Sequence, residues 1–149
     1  MKIRLTSHEM LMCGLIGLAR HISALTRGLP DKNGHEGVGW NNHIEGACGE
    51  LAVAKALGVF WSGSVNTFKR GGDVGGIQVR TRSQPEYDLI IRDDDCDDDT
   101  FVLVTGQCPE YDVVGKILGH DGKQDIWRQT YGGRPAAWFV PQAALEPIF

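Results

Sequence analysis

The spacing of apolar residues changes period once along this chain, near Leu57. Before that point apolar side chains recur three and four positions apart, as on a helix. After it they alternate, as on a strand. Two helices followed by several strands define an α/β chain, and 149 residues suit one domain with a real core. Thr6-Ser7-His8-Glu9 has the form of a capping box, with Leu5 and Met10 placed as a hydrophobic staple. The helix it opens, about 7–26, carries Leu11, Leu15, Leu18, Ile22 and Leu25 as its expected apolar face and ends at Gly28 and Pro30. The stretch 31–40 reads as a loop. A second helix is expected from Asn42 to Leu57, with Gly58 at its C′ position. Ile44, Ala47, Cys48, Leu51 and Ala54 form its stripe, and Glu50 falls ~80° from the stripe's centre, on the shoulder of the buried face.

Strands are expected near 59–62, 68–74, 77–83, 87–92, 101–105, 111–118 and 137–140, with a short terminal helix over 142–149 interrupted at Pro147. The predicted fold is a single α/β domain over 1–149: a mixed, twisted central sheet of four to six strands flanked by helices. Six Asp surround Cys96 in Asp93–Asp99, between two expected strands, and read as a solvated hairpin loop that keeps a sheet edge soluble. The net charge is −4, and without those six the rest of the chain carries +2. The overall sign is therefore weak evidence against a nucleic-acid partner. An EF-hand is excluded, since the Glu at its twelfth position is missing.

Cys13, Cys48, Cys96 and Cys108 lie far apart, which excludes a zinc finger or ribbon and argues against a disulfide framework. A reducing, cytoplasmic setting is expected. No apolar run approaches the ~20 residues that span a bilayer, so no membrane partner is expected. Glu9, Arg20 and His21 around the apolar stretch 10–19 argue against a signal segment.

The stretch that carries chemistry runs from Gly71 to Arg82. Gly75-Gly76 between strand residues is a two-residue hairpin signal, because both positions can take positive φ. That register sets Val74 opposite Ile77 and Asp73 opposite Gln78, with paired Cβ atoms ~5 Å apart. Alternation then groups Gln78, Arg80 and Arg82 with Asp73, while Ile77 and Val79 point into a core. Oxygen ligands beside a fixed cation suit a hard metal and a phosphate. One carboxylate holds Mg²⁺ poorly, and Glu50 is the natural second.

Gly49-Glu50-Leu51-Ala52 in a helix, then Asp73, then a strand of the form x-Ile-Gln-Val-Arg, resembles the PD-(D/E)XK nuclease superfamily over about residues 43–118, in the style of its small phage or prophage members. The resemblance implies a restriction-endonuclease-like fold and Mg²⁺- or Mn²⁺-dependent cleavage of DNA. It implies that Glu50, Asp73, Gln78 and the Val79 carbonyl hold the metal. Arg80 then stands where the family has a catalytic Lys, and Gln78 where it has a Glu. Arginine keeps the charge but cannot lose its proton, and its fork has a different reach, so phosphate binding would survive better than cleavage.

Lys69, Arg70 and Arg82 are candidates for contact with the nucleic-acid backbone. Two further functions fit the residues. One is a non-catalytic nucleic-acid-binding module that kept the fold. The other is an interaction or inhibitor protein that presents Asp93–Asp99 to a protein partner as a phosphate mimic.

Overall fold

The computed structural model describes residues 1–28, 39–65 and 71–149. Helix α1 (Ser7–Thr26) starts on the capping box: the Thr6 hydroxyl accepts from the Glu9 N–H while the Glu9 carboxylate accepts from the Thr6 N–H. Helix α2 (Gly39–Leu57) begins three residues before the expected Asn42 and closes at Gly58, whose φ of +66° is the left-handed value that favours glycine there.

The strands are β1 (Lys2–Arg4), β2 (Ile77–Arg82), β3 (Leu89–Ile91), β4 (Thr100–Gln107), β5 (Glu110–Leu118), β6 (Arg128–Gln129) and β7 (Ala137–Val140). A one-turn helix α3 (Gly119–Gly122) follows β5. The main sheet has the order β1-β5-β4-β2. It is mixed, with β2 parallel to β4 and the other pairs antiparallel. A second sheet has the order β3-β7-β6, all antiparallel. The result is an α/β domain with a four-stranded mixed sheet, as expected, but the two long helices among the described residues both lie on one face of it.

The reason lies in β4, which is apolar on both sides. Val102 and Val104 face the core beneath α2, while Phe101 and Leu103 face a second core closed by Leu89, Ile91 and Val140 of the small sheet. A strand buried on both faces needs a layer on each.

Several expectations need correction. Residues 59–62 form no strand, and the described part of 68–74 is a turn with a single bridge, Val74 to Ile77. Lys69 and Arg70 lie outside the described residues. The Asp93–Asp99 segment is not a hairpin loop: it carries the chain from β3 in the small sheet to β4 in the main one. Over 142–149 the only helix is a 3-10 turn at Gln142–Ala144. The largest correction concerns α1. Leu11, Leu15, Leu18, Ile22 and Leu25 face outward, and its buried residues are Cys13 and Gly17. A Cβ on Gly17 would lie 2.5 Å from the Ile44 Cα, so α1 reaches α2 by its small residues. No helix among the described residues is long and apolar enough to cross a membrane.

Candidate functional site

Close packing of three layers builds the site. Gly17 lets α1 approach α2. Gly49 lets α2 approach β2, since a Cβ there would meet the Thr81 hydroxyl. One helical position past Gly49, Glu50 is 7% exposed, and three past Gly17, Arg20 reaches it. Arg20 Nη1 and Nη2 donate to Oε1 and Oε2 of Glu50 at 2.7 and 2.8 Å. This is the bidentate fork that suits guanidinium to carboxylate. Trp61 Nε1 donates to Glu50 Oε2 at 3.0 Å, and Arg20 Nε donates to the Ser64 carbonyl at 2.9 Å. The segment after α2 thus pins both members of the pair. Burial opposes the Arg20 charge, but the hydrogen bonds and charge of Glu50 outweigh it and hold the Arg20 pKa above its ordinary value.

Asp73 sits at the free edge of β2. The glycine turn forms as expected, but the N–H groups of both Asp73 and Val74 donate to the Ile77 carbonyl, which bulges the chain. Asp73 therefore does not stand square to Gln78. Its Oδ2 instead accepts from the Val79 N–H at 2.8 Å. The N–H and C=O of one strand residue leave on the same side, so the Val79 carbonyl opens toward the same edge. Burial raises the Asp73 pKa; the Val79 hydrogen bond opposes this, and the nearby Glu50 charge adds to it.

Gln78 and Arg80 lie on the opposite face from α2. Gln78 Nε2 donates to Asp99 Oδ2 at 3.1 Å. Arg80 donates to Asp95 Oδ1 at 2.8 Å and to the Ile90 carbonyl at 3.3 Å, with its guanidinium 4.9 Å from the Phe101 ring centre. The fold brings Glu50, Asp73 and the Val79 backbone together, while the Gln78 and Arg80 side chains are engaged with the acidic segment. Arg82 donates to the Asp88 carbonyl and stacks over Tyr87. Burial lowers its pKa, with the charges of Tyr87 and Asp88 opposing this and those of Arg92 and Arg134 adding to it.

A groove of about 770 Å³ runs along this edge. It is lined by Asn41, Asn42 and Glu50 of α2, by Arg80 and Arg82 of β2, and by Arg92, Gln107 and Arg134. Arg20, Trp61, Asn41, Asn42, Arg92 and Arg134 are the participants that sequence reasoning missed. For Arg20 there was one signal, a lone guanidinium within a helix otherwise nearly free of charge.

Among the described residues no three His, Cys, Asp or Glu side chains gather as a metal ion would require. Both Glu50 oxygens are engaged by Arg20 and Trp61, and the Gln78 side chain lies on the far face of β2, so these residues do not gather around a divalent ion while Arg20 is in place. No family model, curated protein or solved structure matches the chain.

Proposed function

We propose that the β2-edge groove binds the phosphate backbone of a nucleic acid, DNA being the class expected, and that the protein is a non-catalytic module of nuclease-like constitution. The observation that carries this reading is the Arg20 fork on Glu50. It supplies, from within the chain, the positive charge that a metal would bring to Glu50 and Asp73. The groove lining adds Arg82, a half-buried cation whose depressed pKa an incoming phosphate would relieve. The acidic segment is a weaker candidate for a phosphate mimic, because Asp93, Asp95 and Asp97 are already paired with Arg128, Arg80 and Lys123.

The test is fluorescence anisotropy with duplex, single-stranded and branched DNA across a salt series. Binding should weaken with salt, be indifferent to EDTA, and weaken further in Arg82→Ala and Arg134→Ala. Retention of no DNA at low salt refutes the reading.

A second reading is favoured by Asp73, a half-buried carboxylate of raised pKa that feels the Glu50 charge and lies beside the Val79 backbone. It is a Mg²⁺- or Mn²⁺-dependent nuclease in which Arg20 must first release Glu50. It requires plasmid nicking that depends on the metal and disappears in Asp73→Asn.

A further inference from the structure

Helix α1 turns its large apolar residues to solvent. Leu11, Leu15, Leu18, Ile22 and Leu25 are between 41% and 62% exposed, although they are the most hydrophobic row on the helix. Their spacing is four, three, four, three. That is the heptad seam by which one helix packs against another, sustained over two heptads. We propose that this seam is a homodimer interface, with α1 of a second copy as its occupant and a two-fold axis passing close to Leu18.

Three observations point to a second copy. First, a heptad seam is matched by another helical seam, and α2, the other long helix among the described residues, is buried from Ala47 to Ala54. Second, no Asp, Glu, Lys or Arg is exposed between Ser7 and Thr26, since Glu9 is bound to Lys55 and Arg20 to Glu50. Two copies of this face therefore meet without like-charge repulsion. Third, with Met12 the row exposes roughly 600 Å² per protomer, so a symmetric pair would bury on the order of 1,200 Å², the lower end for a specific interface. Leu18 is the midpoint of the row, so a two-fold axis that uses the whole seam sets Leu18 against its own counterpart. The seam faces away from Arg20, so dimerisation leaves the β2-edge groove of each copy open.

The experiment is sedimentation velocity on the full chain over a wide concentration range, beside the double variant Leu15→Glu, Ile22→Glu. Wild type should dimerise, and the double variant should associate at least about thirtyfold more weakly, as expected for apolar anchors at an interface centre. Its circular dichroism should match wild type, because both side chains are exposed in the single chain. Leu18→Glu and Leu18→Lys should each be monomeric alone and form a mixed dimer when combined. A wild type that stays monomeric throughout, or a dimer that survives Leu15→Glu, Ile22→Glu, overturns the proposal. A mixture of the two Leu18 variants that fails to associate overturns the placement of the axis.

Discussion

Replacing Arg20 by Gln isolates the feature on which the functional class turns. The substitution keeps a hydrogen-bond donor and removes the charge. Glu50 is then a buried carboxylate that retains Trp61 but loses both guanidinium bonds, with Asp73 as a like-charged neighbour. Removing one partner of a buried pair costs about 3 kcal/mol or more, because the remaining charge is left uncompensated. In a chain of this length that lowers the melting temperature by roughly 6–12 °C at neutral pH. The two carboxylates and the Val79 carbonyl then form an oxygen site with no internal cation. Mg²⁺ or Mn²⁺ at a hundred times its dissociation constant should return ~2.7 kcal/mol to the variant. Wild type, with Arg20 in place, should melt at the same temperature in EDTA and in Mg²⁺. The assay is differential scanning calorimetry of both proteins with and without metal. Leu at position 50 in an Arg20→Met background should recover most of the loss, since an apolar pair can replace a buried ion pair. A wild type that gains as much from Mg²⁺ as the variant, or a variant blind to the metal, refutes the idea that arginine occupies the cation's role.

Gly49→Ala should destabilise by about 1–3 kcal/mol, because the new Cβ meets the Thr81 hydroxyl; Thr81→Ala should recover part of that in a double-mutant cycle read by urea denaturation. Asp73 has a folded pKa raised by burial, so its contribution is greatest below the unfolded carboxylate pKa and is lost as pH rises through the folded value. Asp73→Asn should therefore raise the melting temperature at pH 7 and flatten its fall between acid and neutral pH; an unchanged profile counts against a buried, ionised Asp73. In the acidic segment, Asp95 accepts from both Arg80 and the Arg92 N–H, while Asp98 is exposed. Asp95→Ala should cost about 1–3 kcal/mol and Asp98→Ala less than about 0.5 kcal/mol by chemical denaturation.

What was legible in the sequence was set by local chemistry. The capping box, the C′ glycine and the Gly75-Gly76 turn each depend on a few adjacent residues, and each forms. The alternation in β2 was also correct, with Val79 opposite Gln78 and Arg80. What the pattern could not say is that both faces of this strand would be covered. Arg80 was expected to face a metal because alternation groups it with Asp73 and Gln78. The far face instead meets the acidic segment, whose carboxylates hold it. Strands β1 and β6 were missed because they are two or three residues long, too short for any alternation to stand out.

The hydrophobic period of α1 was read correctly as a stripe and wrongly as the buried one. Hydropathy ranks side chains by transfer from water, so it favours the leucine row. The contact between α1 and α2 is limited by backbone distance instead, and only the small row through Cys13 and Gly17 lets the helices approach so closely. That choice of face also decides the site. Were the leucines turned inward, Arg20 would turn away from Glu50, and Glu50 would be left beside Asp73 without a cation from α1. Gly17→Leu makes the point testable. It should push α1 off α2 and disengage Arg20, so its cost should exceed that of Arg20→Gln, and part of the loss should be recovered by Mg²⁺. A Gly17→Leu protein as stable as wild type and indifferent to metal would show that the close approach of the two helices does not hold the Arg20–Glu50 pair together.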